Sequence, residues 1–244
     1  MLHVMILAYN EAVNLPGVVR GIARVIGKEV YRIVIVDDGS TDSTRRVTKQ
    51  LATTYPVVVV RHSTNRGVAE AFRTGMTHVA RKADPRDILA IMEGDGTSSP
   101  KVLPAMFNRV RQGADIVIAS RYQRGGRYQK FPLRRLILSK GANHVFQLLF
   151  PVTGVRDYSI FYRAYRVQPL QDALKHYGAK FITAQTFFAN IDILLNLRPF
   201  VSRIEEVPFV YNYSQKKSQS SMKILANLWS YVVFMVRYAF RHRD

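Results

Sequence analysis

The chain has no cysteine among its 244 residues, which excludes disulfide bonds and any thiolate zinc site. Its six histidines, His3, His62, His78, His144, His176 and His242, show no metal-ligand spacing. Acids are scarce, with 17 Asp and Glu against 36 Lys and Arg, so the formal net charge is +19. No Gly-x-Gly-x-x-Gly follows the first apolar run and no Gly-x-x-x-x-Gly-Lys-Ser/Thr occurs anywhere, which argues against a dinucleotide-binding Rossmann unit and against a P-loop hydrolase. Crossing a bilayer takes about 20 apolar residues. The uncharged stretch 224–236 has only thirteen, and Arg237 follows it. The N-terminus enters a strand directly without a signal-peptide pattern, and neither internal repeats nor low-complexity linkers are visible. One catalytic domain is the economical reading of this length.

What is present is a regular alternation. Apolar runs at 4–8 and 33–36 lack the polar-apolar alternation of a half-exposed strand, as expected of parallel strands buried on both faces, and further strands are predicted at 57–60, 87–92 and 116–119. Between them lie helical patterns, predicted to open at Asn10 or Glu11 and reach 26, to be capped by Ser40, Thr41 or Asp42 and reach 55, and to span 68–82 and 100–113. The order predicts an α/β fold with a mostly parallel, doubly wound sheet. In such sheets ligands bind beyond the carboxyl ends of the strands.

Three of those ends carry acids: Glu11 after the first strand, Asp37 with Asp38 after the second, and Glu93 with Asp95 after the fourth. One acidic strand end is most simply a solvated turn, but three on one rim describe a site. Carboxylate oxygens suit hard cations such as Mg²⁺ or Mn²⁺, which in turn neutralise nucleotide phosphates. An acid-rimmed nucleotide site without a glycine-rich loop points to a nucleotide-sugar or nucleotidyl transferase.

The segments Ala8-Tyr9-Asn10-Glu11, Val36-Asp37-Asp38-Gly39-Ser40-Thr41-Asp42, Asn65-Arg66-Gly67 with Ala71 and Gly75, and Glu93-Gly94-Asp95 resemble family 2 glycosyltransferases of the GT-A fold. Ala119-Ser120-Arg121-Tyr122 and Ser139-Lys140-Gly141-Ala142 are similar to the dolichol-phosphate mannose synthase branch, the polyprenyl-phosphate glycosyltransferases, and the resemblance runs in order to about residue 223. It implies a nucleotide-sugar half over 1–120, an acceptor half over 121–223, and a C-terminal amphipathic, membrane-interfacial helix over 224–244.

It also implies roles. Tyr9, Glu11 and Asp38, with Asp37 and Arg66 in the same motifs, would contact the donor nucleotide. Asp95 would be the principal metal ligand, with Glu93 in place of the usual first aspartate and Thr97 where some relatives carry a glutamine ligand. Arg121 would face the sugar or phosphates as a catalytic cation. The segment from Asp157 to Arg166 resembles the family's Asp-x-Thr-Ser-Gly-Phe-Arg-x-Tyr-Arg, with Ile160 and Phe161 replacing Ser-Gly, and it nominates Asp157 and Arg163 as substrate-binding residues. Gln185 stands where many relatives have a glutamate, and Ser221 replaces the lysine of a Ser-Lys-Met/Leu element, a cation that Lys216, Lys217 or Lys223 would supply. The Gln-x-x-Arg-Trp element of processive polysaccharide synthases is absent; the single tryptophan is Trp229.

Charge supports a phosphate acceptor independently. Residues 1–115 hold 16 basic and 11 acidic side chains, residues 116–244 hold 20 and 6, and no acid lies between Ile116 and Arg156 against eight cations including Arg121, Arg127 and Lys140. A phosphate monoester is already largely a dianion at neutral pH, with a second pKa of about 6. It needs cationic positioning and no general base, whereas a sugar hydroxyl needs one. The expected reaction is inverting transfer of mannose or glucose from a GDP- or UDP-linked sugar to a polyprenyl or dolichyl phosphate. The alternatives are a sugar or protein hydroxyl acceptor, or a non-catalytic membrane- or nucleic-acid-binding relative.

The basic excess fits an anionic membrane surface, where each cation adds about 1 kcal/mol. No nucleic-acid recognition module is visible, so nucleic acid is not expected as a partner. Residues 131–150 mix Arg134, Arg135 and Lys140 with leucines and isoleucine, predicting one amphipathic helix or two broken near Gly141. Gly125-Gly126 marks an expected mobile loop between the halves. The sum is a cytoplasmic enzyme, peripheral on the inner face of the membrane.

Overall fold

The computed structural model describes residues 1–186 and 188–215; the C-terminal helix expected over 224–244, Trp229, Ser221, Lys216, Lys217 and Lys223 lie outside the described residues. The chain builds β1 (Leu2–Ala8), α1 (Leu15–Ile26), β2 (Tyr31–Asp37), α2 (Thr44–Thr54), β3 (Val57–Arg61), α3 (Val68–Ala80), β4 (Ile88–Glu93), α4 (Leu103–Arg111) and β5 (Ile116–Ser120). The predicted alternation is therefore present. All seven residues of β1 are buried, because helices cover the sheet on both sides. One face carries α1 packed on α2 and α4, and the other carries α3.

The helix starts move inward from their expected places. Asn10 adopts a left-handed backbone (φ 57°) that a helix cannot accommodate, and the Glu11 carbonyl closes a turn onto the Asn14 and Leu15 amides. α1 therefore opens at Leu15 with Pro16 in its first turn. Residues 40–42 are spent on bonds to the first loop, so α2 begins only at Thr44. Residues 100–102 form a 3₁₀ turn before α4.

After β5 come β6 (Arg127–Gln129), α5 (Leu133–Leu149), β7 (Arg163–Arg166), α6 (Val167–Tyr177), α7 (Ala189–Leu197), β8 (Ile204–Pro208) and β9 (Val210–Asn212). The strand order of the seven-stranded sheet is β3-β2-β1-β4-β7-β5-β8, with β7 antiparallel to both neighbours. β7 thus inserts between β4 and β5, so the two halves of the chain share one sheet. α6 and α7 join α3 on its face. All nine residues of α7 are buried, and its polar side chains serve neighbouring loops. Asp192 accepts from the Thr183 and Ala184 amides, and Asn196 donates to the Phe181 carbonyl. β6 and β9 form a separate parallel pair above β5.

Gly125-Gly126 is a closely packed turn: a Cβ on Gly126 would lie 2.3 Å from the Ser120 carbonyl oxygen. α5 is a single helix that runs through Gly141 unbroken.

At the opposite end of the sheet, His3 on β1 is buried and donates from Nε2 to Asp87 at 3.0 Å. Burial, aided by the Arg32 charge, holds its imidazole below the ordinary value of 6.5, although Asp87 pulls the other way. The unfolded chain therefore takes up this proton at a higher pH than the folded one. This contribution to stability is complete above about 6.5 and is lost as the pH falls toward the folded value. Urea midpoints of the parent chain should decline on acidification through that window, and His3→Gln should flatten the decline.

Candidate active site

β2, β1 and β4 are adjacent in the sheet, and their register sets Ala8 beside Asp37 and Leu7 beside Glu93. The three acidic ends therefore share one rim. The loops after β1 and β2 are zipped together: Asn10 Oδ1 accepts from the Thr41 and Asp42 amides, and the Asn10 and Glu11 amides donate to Ser40 Oγ and Thr44 Oγ1. Tyr9 stands out from this loop, 40% exposed, while Glu11 is buried and accepts from Asn14 Nδ2 at 2.6 Å.

Asp37 and Asp38, nominated for the donor nucleotide, are turned inward. Asp37 is fully buried, with Oδ1 on the Ser40 amide and Oδ2 on Arg61 at 2.7 Å. Asp38 accepts from His62 Nδ1 at 2.7 Å and from the Arg66 and Gly67 amides at 2.9 Å each. Both carboxylates satisfy loop donors that would otherwise be buried unpaired, so they shape the rim from behind. Gly39 permits this closeness, since a Cβ there would meet the Thr64 carbonyl carbon at 2.1 Å. Arg66 points outward to Glu70 at 3.5 Å.

Beyond β4, the Gly94 amide donates to the Leu7 carbonyl, and Gly94 lets the chain pass close over β1. Asp95 Oδ1 accepts from the Thr97 amide at 3.0 Å and its hydroxyl at 2.6 Å, with both residues buried. The Thr97 proton is thereby committed to Asp95. Glu93 is half-buried. Tyr211 of β9 lies close to this pair: burial first, then the charges of Glu93 and Asp95, push its phenol well above the ordinary value of 10. Among the described residues, no group of three or more His, Asp or Glu side chains gathers as a ready metal cage. Two carboxylates at a strand end nevertheless match the donor set of a cation that completes its shell with water and substrate phosphates.

At the end of β5, Arg121 is buried and clamped by Asp157, with Nε to Oδ2 at 2.8 Å, Nη2 to Oδ1 at 2.6 Å, and its own amide to Oδ2 at 3.0 Å. Nη2 also reaches Ser159 Oγ at 2.6 Å. Burial opposes the charge, but the Asp157 carboxylate overrides it and keeps Arg121 protonated. Three rings surround the guanidinium carbon: Tyr128 at 4.9 Å, with Tyr122 and Tyr211 each at 5.8 Å. Glu206 on β8 holds the loop below by accepting from the Arg156 and Asp157 amides.

The other nominated residues divide. Arg127 on β6 and Lys140 on α5 are exposed. Arg163 is fully buried and donates to the Asn190 and Tyr158 carbonyls, so it ties α7 to the loop before β7 and does not reach the rim. Ile160 and Phe161 lie in the core, Phe161 edge-on to Phe72 with ring centroids 5.1 Å apart. Gln185 is exposed, and its carbonyl oxygen would lie 4.0 Å from a Cβ on Gly67. The tyrosine box around Arg121 escaped sequence reasoning. Tyr122 stands in the Ala119-Ser120-Arg121-Tyr122 motif without a role assigned to it, and Tyr128 and Tyr211 carry no local signal.

The rim of this open α/β sheet thus carries paired carboxylates at the end of β4 and a caged guanidinium at the end of β5. The glycosyl transferase family 2 profile matches residues 3–187, and the chain belongs to that family. It is 29% identical over 222 residues, 90% of its length, to the dolichol-phosphate mannosyltransferase of Pyrococcus furiosus. It is 36% identical over 170 residues, 69% of its length, to the polyprenol monophosphomannose synthase of Mycolicibacterium smegmatis. The chain spans 58% and 62% of the lengths of these two relatives. The fold is that of GT-A glycosyltransferases. A structure of glucosyl-3-phosphoglycerate synthase from Mycobacterium tuberculosis, in complex with Mn²⁺, UDP and glucosyl-3-phosphoglycerate, superposes with a TM-score of 0.63 at 16% identity, covering 97% of this chain and 77% of that one.

Removing one partner of a buried ion pair costs about 3–5 kcal/mol, because the survivor is left uncompensated. Arg121→Met should lower the urea-unfolding free energy by that much. Arg121→Met combined with Asp157→Leu should restore part of the loss, which a double-mutant cycle measures.

Proposed function

We propose that this chain is an inverting hexosyltransferase that moves mannose or glucose from a nucleotide sugar to a polyprenyl phosphate at a membrane surface. The observation that carries the reading is that the sheet brings the acidic ends of β1, β2 and β4 to one rim and sets Arg121, held by Asp157, at the end of β5 on that same rim. Leaving diphosphate and incoming phosphate are both anions, and the two charge types at the site answer these two demands. The names of the two relatives support mannose and a lipid phosphate.

In this reading Tyr9, exposed at the rim, offers a face to the base, and the loops held by Asp37 and Asp38 shape the nucleotide cleft. Asp95, fixed by Thr97, and Glu93 would hold a divalent cation, Mg²⁺ or Mn²⁺. Such a cation supplies neutralisation of the charge that develops on the departing diphosphate. Thr97 orients Asp95 by donating its hydroxyl proton, and its oxygen lone pairs stay available to the same cation. Arg121, locked by Asp157, presents positive charge without having to reorganise during reaction. An acceptor phosphate oxygen attacks the anomeric carbon opposite the leaving group and needs no base. Gln185 could not act as one.

The membrane surface is assigned to α5. Only Asn143 and Phe146 of this helix are buried, while Leu133, Ile137, Leu138, Val145, Leu148 and Leu149 are exposed, Leu148 to 75%. Arg134, Lys140 and His144 are exposed on the same helix. Apolar residues interleaved with cations fit the headgroup boundary of an anionic bilayer. No helix among the described residues is long and apolar enough to cross a membrane.

Asp95→Asn should lose at least about 100-fold in turnover while keeping its fold, the scale of a lost electrostatic contribution to the transition state. Glu93→Gln should lose less. Assaying nucleoside diphosphate release and lipid-linked hexose together checks both, and wild-type activity in Asp95→Asn at saturating donor would refute the metal assignment. A thermal-shift panel of GDP-mannose and UDP-glucose with and without Mn²⁺ should identify the donor, because a bound ligand raises the melting temperature by mass action.

A further inference from the structure

Tyr128 lies where β5, β6 and α5 meet. Its hydroxyl is 2.9 Å from the Tyr122 hydroxyl and 3.0 Å from Ser139 Oγ on α5. A phenol has one proton and can also accept, so Tyr128 can donate to one of these neighbours while accepting from the other. Its ring is the nearest of the three to the Arg121 guanidinium carbon, at 4.9 Å, and also contacts Phe131 and Tyr211 with centroids 5.0 and 6.3 Å away. Arg121 is therefore fixed twice, in its plane by Asp157 and over its face by Tyr128. Among the described residues, Tyr128 is the one of these two partners whose side chain also bonds α5.

The N-terminal half of α5 has few other ties. Its two buried residues, Asn143 and Phe146, both lie past the midpoint, where Asn143 bonds the Arg156 carbonyl and the Tyr158 amide. Before Gly141, Ser139 is tied to Tyr128 and Arg135 to Tyr213, each at 3.0 Å. The height of α5 over the site is thus set in part by a phenol that also sets the position of the guanidinium.

The geometry points to Tyr128 as a positioning residue that locks α5 in register with Arg121, so that a phosphate carried in a membrane reaches the guanidinium at a fixed height. This inference rests on the reading of α5 as the membrane surface and of a prenyl phosphate as acceptor. A lipid phosphate held in a bilayer cannot adjust its depth freely, whereas a short soluble prenyl phosphate can. The tie therefore matters for the first acceptor and little for the second. A purely structural tyrosine would affect both alike.

Tyr128→Phe keeps the ring and removes both hydrogen bonds. With long-chain polyprenyl phosphate in anionic vesicles, its acceptor KM should rise about 10-fold, within the cost of a displacement on the order of 1 Å. Donor KM and vesicle co-sedimentation should match the parent. With a short, water-soluble prenyl phosphate the change should stay under about 2-fold. Tyr122→Phe, which leaves the Tyr128 to Ser139 bond in place, should fall between parent and Tyr128→Phe. An unchanged vesicle KM, an equal loss with both acceptors, or a parallel rise in donor KM overturns the role of Tyr128 while leaving the transferase reading standing. A parent chain that transfers to neither prenyl phosphate overturns that reading and the inference with it.

Discussion

A guanidinium and a carboxylate withdrawn from water hold this site together. Arg121 follows β5, Asp157 lies in the loop leading to β7, and neither tolerates burial without the other. Around them every remaining group is recruited to the pair: Ser159 bonds the guanidinium, Glu206 fixes the Asp157 backbone, and three tyrosine rings close over the cation. The positive charge is consequently preorganised. A mobile surface arginine would have to give up water and rotamer freedom each time a phosphate arrived; Arg121 has already done so during folding.

The acids of the rim follow the same logic with different outcomes. Asp37 and Asp38 answer buried amides, Arg61 and His62, and so become the framework of the loops at this end of the sheet. Glu93 and Asp95 sit one turn further on, beside Tyr211, where β4 ends and the chain must cross over β1 through Gly94. A small residue between two acids is needed there because the Leu7 carbonyl comes within 3.0 Å of where a Cβ would stand. The spacing of the acidic pair is thus also a packing requirement.

α5 gives the molecule its asymmetry. Most of its apolar side chains face outward, which an isolated water-soluble domain avoids, and its cations lie among them. Its few anchors converge on the site: Ser139 through Tyr128 toward Arg121, and Asn143 toward the Asp157 loop. In the proposed function, contact with lipid and contact with phosphate are coupled by this short path of hydrogen bonds and one ring–cation contact.

Strand burial, helix alternation and the acidic strand ends could all be read along the chain, because each depends on neighbours a few residues apart. The cationic bias of the second half was equally plain, since charge counts need no coordinates. Other features depended on partners far away in sequence. Nothing along the chain marks Ser40 and Arg61 as the partners of the Asp37 carboxylate, or two core carbonyls as the acceptors of Arg163. The helix starts shifted because Asn10 is left-handed and its side chain serves another loop. The insertion of β7 between β4 and β5, and the tyrosines that enclose Arg121, come from pairings between distant segments. Periodicity and composition carry no record of such pairings, because closing those long loops is favourable only once a whole core forms around them.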